Sequence, residues 1–563
     1  HPDAILAISN QAGGQERLRD ALGDTVPIAR YFPSGFKLAK AVAEMLDSGP
    51  TANAIVLMQH GLATWGETAR DSYDTTIELV NKAEKYILKH TRSFSIPDSA
   101  TPVSLAEERY AQIAPILRGA LALQTGNQDR PWLTSIIQPL ITKEILGLLD
   151  TETGREIAAS GPLTSDHLIR TKASYLWVEE PAYDDLDKLR QQISGAVGSF
   201  AEAYNAYVDR HADRMPAGVD RMDALPRVLL MPGLGAVCAG RDIINSTIVR
   251  DITAHTLDVK QQIEAMGAYR GLDEGDLFDM EYKILQHSKL KKTASLPLER
   301  QTALITGAAG AIGAGIAEEL LEQGCHVALS DLDATALAEL AGELRGRFGP
   351  RVLGVVLDIS DARSVAEGFR TVIRAWGGVD IVILNAGLAH VSALENMDME
   401  TFRKLERVNV EGVLHMLSES ARHFKCQGTG GDIVLLSTKN VFAPGARFGA
   451  YSATKTAAHQ LARIASQEFA AFGVRVNMVA PDAVFSHGDR KSGLWSKIGP
   501  DRMAARGLSA EGLEDYYRNR NLLKARITAR HVSKAVLFFV TRQTPTTGAT
   551  LPVDGGLPDA TPR

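Results

Sequence analysis

A tyrosine and a lysine four residues apart, Tyr451 and Lys455, are the side chains in this sequence best suited to proton transfer. They end the stretch STKNVFAPGARFGAYSATK, residues 437–455, which begins with the hydroxyl pair Ser437-Thr438. Four residues make about one helical turn, so the phenol and the ammonium would share a face. A nearby cation favours the phenolate, which can act as a base. The same spacing also fits a tyrosine packed under a lysine stem, and spacing alone leaves both interpretations open.

The elements around this pair predict a parallel sheet that is covered on both faces. From about residue 300 onward, helical stretches separate the short apolar segments QTALITG, HVALSDLD, VLGVVLDIS, VDIVILNAG, GDIVLLST and VRVNMVAPD. Near-continuous apolar strands that alternate with helices are typical of such sheets. We therefore predict an α/β protein whose C-terminal part is a Rossmann-like, doubly wound domain.

A glycine-rich turn, TGAAGAIG at residues 306–313, follows the first of these strands and opens a helix. Glycines let the backbone turn sharply and approach a pyrophosphate, which the helix N-terminus attracts. Asp331 ends the second strand, where a carboxylate can accept hydrogen bonds from the ribose hydroxyls and would repel a 2′-phosphate. This context predicts a dinucleotide site that prefers NAD to NADP. An ordinary strand-end aspartate is the alternative interpretation of Asp331.

Residues 298–563 resemble the short-chain dehydrogenase/reductase family. The motifs that carry the resemblance are the glycine turn, Asp358-Ile359, NAG at 385–387, Asn409, YSATK and the closing TTGATLPVDGG. The resemblance implies that Tyr451 is the general acid/base and that Lys455 lowers its pKa and binds the nicotinamide ribose. It also implies that Asn409 holds a relay water. Thr438 occupies the position of the family's catalytic serine and would hydrogen-bond the substrate carbonyl.

The same resemblance implies a set of cofactor-binding residues. They are Gly307, Gly310, Ile312, Gly313, Asp331, Asp358, Ile359, Asn385, Ala386, Gly387, Tyr451, Lys455, Pro481 and Val484. Asp358 would hydrogen-bond the adenine, and Asn385 would secure the cofactor. The sequence departs from the family pattern at Ala311, which replaces a glycine of the turn, and at Asp482, which replaces the glycine after the sixth strand. The charged segment 483–523 is where the family keeps its substrate lid.

The front half contains two histidines in the context of a second family. HPDAIL at the start and MQHGLATWG at residues 58–66 resemble the class II aldolase/adducin family, whose enzymes hold zinc with a His-x-His pair and a later His-Gly. His1 would be the second member of the pair and His60 the third ligand. Zinc there would polarise a carbonyl and stabilise an enediolate. The resemblance places the first histidine and the acidic catalytic residue upstream of residue 1. Without this family resemblance, the simpler interpretation of His60 is a core histidine whose hydrogen bonds are satisfied.

Three parts are predicted along the chain. Residues 1–100 are an incomplete class II aldolase-like α/β domain, 101–290 a helical or mixed middle segment, and 298–563 the dehydrogenase domain. The polar stretch LQHSKLKKTASLPLE, residues 285–299, is the predicted linker. Within the middle segment, RVLLMPGLGAVCAGRDIINSTIVRDI echoes AIVLMQHGLATWGETARDSYDTTIEL from the first part. A degenerate duplication and a chance similarity would both explain that echo.

The composition and net charge indicate which classes of binding partner to expect. The 563 residues are 45% hydrophobic and carry a formal net charge of −6, with neither a basic stripe for nucleic acid nor a polybasic patch for a membrane. Cys238, Cys325 and Cys426 lie far apart, which predicts free thiols in a reducing compartment and hence the cytoplasm. The expected partners are a small-molecule substrate and, from the family, copies of the same chain in a dimer or tetramer.

These features predict an NAD-dependent oxidoreductase that acts on a small hydroxy-aldehyde such as L-lactaldehyde, or on a sugar-derived alcohol. A zinc-dependent aldolase would precede it. This order of domains resembles the bifunctional rhamnulose-1-phosphate aldolase/short-chain dehydrogenases of bacterial rhamnose catabolism, in which one site consumes the aldehyde that the other releases. One alternative is a dehydrogenase of a sugar alcohol or hydroxy acid with a non-catalytic aldolase-like scaffold. Another is a nucleotide-binding sensor without turnover, against which Asn409, Tyr451 and Lys455 argue.

Overall fold

The computed structural model describes residues 1–48, 52–91, 99–289 and 295–560. The α-helices are α1 (Asp3–Ser9), α2 (Gly14–Leu22), α3 (Phe36–Ser48), α4 (Ala69–His90), α5 (Val103–Ala120), α6 (Lys143–Leu149), α7 (Glu152–Ala159), α8 (Leu168–Thr171), α9 (Leu186–Arg210), α10 (Ile243–Glu264), α11 (Glu274–Glu281), α12 (Ile284–Lys289), α13 (Ala311–Glu322), α14 (Ala334–Phe348), α15 (Ala362–Trp376), α16 (Met399–Glu406), α17 (Gly412–Gln427), α18 (Gly449–Glu468), α19 (Gly493–Ala504), α20 (Ala510–Asn519) and α21 (Ala529–Val540). Within the described ranges, none of these helices is both long and apolar enough to cross a bilayer. The predicted linker 285–299 lies partly outside the described residues.

The β-strands are β1 (Ile28–Ala29), β2 (Ala54–Leu57), β3 (Gly61–Thr64), β4 (Leu123–Gln124), β5 (Trp132–Leu133), β6 (Ile136–Leu140), β7 (Leu176–Trp177), β8 (Val228–Met231), β9 (Gly235–Gly240), β10 (Thr302–Thr306), β11 (His326–Asp331), β12 (Val352–Val356), β13 (Ile381–Leu384), β14 (Gly431–Leu436), β15 (Val474–Pro481), β16 (Ser486–His487), β17 (Arg490–Lys491) and β18 (Thr550–Val553). The chain forms two compact units. The first unit contains His1–Tyr110, Gln138–Gly240 and Ile244–Thr293, and the second contains Ala111–Ile137, Arg241–Ile243 and Ala294–Arg563. The second unit therefore includes residues 111–137, which the sequence assigned to the middle segment. The three-part division stays a prediction.

The second unit is built on a seven-stranded sheet with the strand order β12-β11-β10-β13-β14-β15-β18. Every neighbouring pair in this sheet is parallel. The direction in which successive strands are added to the sheet reverses at β10, which lies between β11 and β13. Sheets of this kind bind ligands at the carboxyl ends of the strands beside such a reversal. The doubly wound α/β fold predicted from the sequence is therefore confirmed.

Helices cover this sheet because its strands are apolar along their whole length. All five residues of β10 are buried, which requires cover on both faces. Helices α13, α14 and α21 pack on the sheet in one core, which includes the fully buried Ile305, Leu329 and Val536. Helices α15, α17 and α18 form a separate layer that contacts β12, β13 and β15. These layers fix the strand ends at which the predicted site residues lie.

The first unit carries two β-hairpins, each followed by a long helix. Strands β2 and β3 pair antiparallel before α4, and strands β8 and β9 pair antiparallel before α10. Both helices have 22 residues. The sequence predicted one strand running into a turn at residues 53–66, whereas the structure folds Gly61–Thr64 back as a second strand. The reversal uses Gln59, whose φ of +56° lies in the left-handed region that few side chains adopt. The shared hairpin–helix arrangement favours the duplication, which stays a prediction.

Candidate active site and metal-binding residues

The glycine turn between β10 and α13 needs its glycines for close backbone approach. Gly307 has a φ of +62°, and a Cβ on it would lie 2.8 Å from the Cα of Ala386. A Cβ on Gly313 would lie 2.5 Å from the carbonyl oxygen of Gly307. Asn385 braces the turn from the next strand, because its Nδ2 donates to the carbonyls of Thr306 at 3.0 Å and Gly307 at 2.8 Å. The turn is thus a rigid cradle of main-chain groups.

The N-terminus of α13 lies at the end of this cradle. Gly310 precedes the helix and offers no side-chain cap, so the first-turn N–H groups stay available to an anion. Ala311 is the first helical residue and is 2% exposed, so the structure accommodates its methyl group. Ile312, next along, contributes to the lining of a large cavity. The arrangement is suited to holding a pyrophosphate.

Two acidic side chains follow the next two strands. Asp331 Oδ2 accepts from the main-chain N–H of Ala309 in the glycine turn at 3.0 Å, so the carboxylate lies beside the cradle. Asp358 Oδ1 accepts from the N–H of Ser360 at 2.9 Å and from its hydroxyl at 2.7 Å, which shapes the turn after β12. The neighbouring Ile359 is buried, at 6% exposure. Asp331 is positioned to meet a ribose beside the turn.

A cavity of about 1140 Å³ adjoins the cradle at the carboxyl end of the sheet. The predicted residues in its lining are Ile312, Asn385, Gly387, Thr438, Tyr451, Lys455, Pro481 and Val484. Tyr451 and Lys455 project from the first two turns of α18. The structure therefore brings the predicted catalytic hydroxyls and ammonium together with part of the predicted cofactor set. Of the predicted catalytic residues, Asn409 is outside this lining.

Burial is the largest influence on the pKa values of Tyr451 and Lys455. Burial raises the pKa of Tyr451, and the hydroxyl of Thr438 opposes that rise through a hydrogen bond. The Lys455 Nζ donates to the carbonyl of Leu436 at 2.6 Å, which directs the ammonium toward the main chain. Burial lowers the pKa of Lys455 to about 8, so the amine is still mostly charged at pH 7. The lowering of the Tyr451 pKa that the resemblance implies also depends on the positive nicotinamide ring, and it stays a prediction.

Asn409 lies in a π-helical turn, residues 407–411, between α16 and α17. Its Nδ2 donates to the carbonyl of Leu388 at 2.9 Å and to Thr454 Oγ1 at 3.0 Å, and its Oδ1 accepts from the N–H of Leu388 at 2.9 Å. The side chain is 1% exposed, and these contacts occupy its amide. Wide turns of this kind often occur at functional sites. Any relay through Asn409 must therefore use its main-chain carbonyl.

The two hydroxyls before the tyrosine have different partners. Thr438 Oγ1 accepts from the N–H of Asn440 at 3.3 Å and reaches the cavity. The Ser437 hydroxyl is hydrogen-bonded to Nδ1 of His459 at 2.9 Å in the buried interior. Because Ser437 is committed to His459, Thr438 is the hydroxyl left to meet a substrate carbonyl.

Helices α19 and α20 form the predicted lid segment and contribute to the cavity lining. Asp482, after β15, forms an ion pair with Arg520, whose Nε donates to Oδ2 at 3.2 Å. The Arg520 guanidinium also lies over the ring of Tyr517, 4.2 Å from its centroid. The carboxylate that replaces the family's glycine thus fastens the segment after α20 to the sheet. No local sequence signal pairs residues 38 positions apart, so a role for Asp482 could not be predicted from the sequence.

In the first unit, the two predicted metal-binding histidines are neighbours. The rings of His1 and His60 stack with centroids 5.4 Å apart. Asp166 joins them, with Oδ2 3.3 Å from His1 Nε2 and 3.8 Å from His60 Nε2. The ligand atoms of the three residues lie within 4.8 Å of one another. Sequence reasoning missed Asp166, which follows His60 by more than a hundred residues and lies in no recognisable metal motif.

The donor set of this cluster fits zinc. Two imidazoles and one carboxylate are ligands that catalytic zinc takes, with a further position open to substrate. Burial lowers the pKa of His60, which keeps the imidazole neutral and able to bind a metal. A hydrogen bond from His1 lowers the pKa of Asp166, which keeps it ionised. His60 Nδ1 is buried without a hydrogen-bond partner among the described residues, so ligation or a bound group would satisfy an otherwise costly nitrogen.

Comparison with known proteins finds a family for each part of the chain. Residues 301–496 match the short chain dehydrogenase family, 1–87 the class II aldolase and adducin N-terminal domain, and 108–290 the second domain of class II aldolases. The uncharacterized oxidoreductase YuxG of Bacillus subtilis is 31% identical over 571 residues, which cover 100% of this chain and 80% of that protein. Sorbitol dehydrogenase of Cereibacter sphaeroides is 31% identical over 210 residues, 37% of this chain and 80% of that protein. Sorbitol-6-phosphate 2-dehydrogenase from Erwinia amylovora superposes with a TM-score of 0.42 and 25% identity over 45% of this chain and 98% of that chain.

The parallel sheet, the glycine cradle and the Tyr-Lys helix define a nicotinamide-dependent oxidoreductase. The chain belongs to the short-chain dehydrogenase family, as an oxidoreductase fused to class II aldolase domains.

Proposed function

We propose that the second unit is an NAD-dependent dehydrogenase that oxidises a small hydroxy-aldehyde such as L-lactaldehyde, or a sugar-derived alcohol. The observation that carries the proposal is the cavity into which Thr438, Tyr451 and Lys455 open beside the glycine cradle. Its lining contains several charged and hydroxyl side chains, which suits a polar substrate.

The cofactor would lie across the carboxyl ends of the strands on both sides of the reversal at β10. The glycine turn and the N-terminus of α13 would hold its pyrophosphate, and Asp331 would accept the hydroxyls of its adenosine ribose. When bound, the nicotinamide supplies hydride transfer and, in its oxidised form, a positive charge. Asn385 and Gly387 line the cavity on the cradle side, where they would position that ring.

The chain's own groups would then handle the proton. Tyr451 would take the proton of the substrate hydroxyl, or of an aldehyde's hydrate, while Thr438 donates to the same oxygen and orients it. The Lys455 ammonium, charged at pH 7, would stabilise the phenolate. The main-chain carbonyl of Asn409 would hold the water through which the proton leaves. During turnover, the positive charges of Lys455 and of the oxidised nicotinamide would offset the effect of burial, which raises the pKa of Tyr451.

The first unit, in the same proposal, is a zinc-dependent aldolase such as a rhamnulose-1-phosphate aldolase. His1, His60 and Asp166 would hold the zinc, which supplies Lewis-acid polarisation of the substrate carbonyl. The dehydrogenase would consume the aldehyde that the aldolase releases. The alternative is a scaffold without metal, fused to a dehydrogenase of a sugar alcohol or a hydroxy acid, and zinc content separates the two.

The first test of the proposal measures NADH formation. The protein is mixed with L-lactaldehyde and NAD, beside parallel mixtures with NADP and with a panel of sugar alcohols and hydroxy acids. Turnover of L-lactaldehyde with NAD would support the coupled reactions. Turnover of a sugar alcohol alone would support the dehydrogenase activity and contradict its coupling to the aldolase. If no compound leads to NADH formation, the proposal is contradicted.

Asp331→Ala is expected to weaken the preference for NAD. The substitution removes a charged acceptor for the ribose hydroxyls, so kcat/KM with NAD should fall by about 10- to 100-fold, whereas kcat/KM with NADP should hold or rise. Steady-state kinetics with both cofactors measure the change. The control is Asp333→Ala, which removes the N-cap of α14 two residues away and should leave the cofactor ratio unchanged. An unchanged ratio in Asp331→Ala would mean that Asp331 is only an ordinary strand-end residue.

His60→Ala is expected to abolish tight zinc binding. The variant loses one of three protein donors, so zinc retained after dialysis should fall from about one ion per chain to background. Asp166→Asn, which keeps the shape and removes the charge, should lower retention by roughly 10-fold or more. Atomic emission on the dialysed protein measures the content without recourse to activity. The control is His90→Ala, at an exposed histidine on α4. Full zinc content in His60→Ala would show that the ion is held elsewhere, whereas no zinc in the unaltered protein would favour the scaffold alternative.

A further inference from the structure

The dehydrogenase cavity carries more positive than negative charge. Its lining contains the cations Lys439, Arg447, Lys455, Arg502, Arg506 and Arg520, and the carboxylates Asp482 and Asp559. The charge of Asp482 is already paired with that of Arg520 in an ion pair. The proposed mechanism uses Lys455 and none of the other cations.

Arg502, on α19, is the one buried arginine of this set, and among the described residues it lacks a counter-charge. It is 6% exposed, and among the described residues it forms no ion pair with a carboxylate. Its Nη2 lies 3.5 Å from the hydroxyl of Tyr517, and its Nε is buried without a hydrogen-bond partner in the described part of the chain. A guanidinium has five N–H donors in a fixed fork, so most of its hydrogen-bonding capacity is unused.

One buried arginine and one partly buried arginine of the same unit have carboxylate partners. Arg118 donates to both oxygens of Asp380, and Arg542 donates to Asp432. A buried charge without a partner is costly, so a free fork at the wall of a cavity indicates that the missing partner comes from the ligand.

Arg502 is also close to the reacting groups. Its guanidinium carbon lies 4.8 Å from the centroid of the Phe448 ring, and that ring lies 6.0 Å from the ring of Tyr451. Lys439 lines the same cavity, with its Nζ 3.1 Å from the carbonyl of Ala443. Burial and the neighbouring arginines lower the pKa of Lys439 to about 8, which leaves it mostly charged at pH 7. Arg502, Lys439 and Tyr451 therefore line one cavity.

We propose that Arg502, assisted by Lys439, is an anion subsite of the dehydrogenase cavity, so that the compound transformed there carries a carboxylate or a phosphate. The inference rests on the proposed function, since it places the subsite beside the proposed acid/base. With a hydroxy acid or a sugar phosphate the anion would be carried by the substrate itself, away from the reacting carbon. With L-lactaldehyde the reacting carbon becomes the carboxylate, so the subsite favours the hydroxy acids and sugar phosphates. A planar guanidinium suits both groups, because it can donate two parallel hydrogen bonds.

Direct binding to the full chain tests the subsite. L-lactate and inorganic phosphate are titrated separately by calorimetry into the protein saturated with NADH. We expect at least one of them to bind, and Arg502→Met to raise its Kd by about 10-fold or more. Arg502→Lys, which restores a positive charge, should recover part of the affinity. Binding of lactate alone assigns a carboxylate, and binding of phosphate alone assigns a phosphorylated compound.

Two controls make the result decisive. Arg518→Met changes an exposed arginine that pairs with Asp515 on α20, and its anion affinity should equal that of the unaltered protein. The Kd of NADH should be the same in all variants, which excludes a folding defect. Equal anion affinity in Arg502→Met, or no binding of either anion, would overturn the subsite. Anion binding without turnover of any substrate would instead contradict the proposed function and leave the subsite standing.

Discussion

Tyr451→Phe is expected to lower kcat by a factor on the order of 10³ while leaving NADH binding intact. The change removes one oxygen, the group proposed to exchange a proton with the substrate, and general acid–base catalysis contributes about 10²- to 10⁴-fold. Tyr451 packs against the apolar cluster that contains Phe448, and a phenylalanine keeps this packing. Steady-state rates give kcat, and the fluorescence of bound NADH gives its Kd.

Tyr73→Phe is the matched control for this prediction. It makes the same chemical change at a side chain that is 64% exposed in the first unit, and it should leave kcat unaltered. A second comparison is Thr438→Ser against Thr438→Val. Serine keeps the hydroxyl and should preserve most activity, whereas valine keeps the shape and should lose it. Retained turnover in Tyr451→Phe would overthrow the assignment of the acid/base, whatever the threonine variants do.

Arg118→Met is expected to lower the free energy of unfolding by about 3–5 kcal/mol, the usual cost of leaving a buried charge without its partner. Arg118, 0% exposed, donates to Oδ1 and Oδ2 of Asp380 at 2.7 Å each. Its Nε donates to the carbonyl of Ser135 at 2.7 Å. Asp380 immediately precedes β13 and also accepts from the N–H of Thr302 in β10 at 2.9 Å. The loss of this ion pair is therefore expected to destabilise β10 and β13, the two strands beside the glycine turn.

The acid dependence of stability has a definite sign. Burial alone would raise the pKa of Asp380, but the contacts from Arg118 lower it below its ordinary value. A carboxyl whose folded-state pKa is depressed contributes stability above its unfolded pKa, near 3.9, and that contribution is lost as the pH falls through the folded-state pKa. In Arg118→Met the pKa of Asp380 should rise, so the variant's deficit should shrink as the pH falls toward 4.

Urea denaturation followed by tryptophan fluorescence measures both effects. Arg422→Met is the control, because it removes an exposed arginine that pairs with Glu419 and should change stability by less than about 0.5 kcal/mol. The double variant Arg118→Met/Asp380→Leu removes both charges and should recover part of the loss. A midpoint for Arg118→Met equal to that of Arg422→Met would show that the Arg118–Asp380 pair does not stabilise the second unit.

The amino-acid sequence by itself determined the class of fold and the local motifs. The glycine turn, the strand-end Asp331 and the one-turn spacing of Tyr451 and Lys455 are local features, because apolar periodicity and backbone freedom act over a few residues. Their order along the chain was enough to predict the parallel sheet, and its strand ends then bring these motifs to one edge. The second strand at residues 61–64 was missed, since Gly61 marks a turn but does not show that the chain then folds back as a strand.

Tertiary structure decided which distant side chains meet. Asp166 joins His1 and His60, Arg118 finds Asp380, and Arg520 takes the carboxylate of Asp482. Each of these pairings follows from the packing of elements that are far apart in sequence, which no spacing rule encodes. The same reason explains why Arg502 could not be singled out from the other charges of the lid. Arg502 differs from the other lid charges because it is buried without a counter-charge among the described residues. Burial is a property of the folded chain and not of its local sequence.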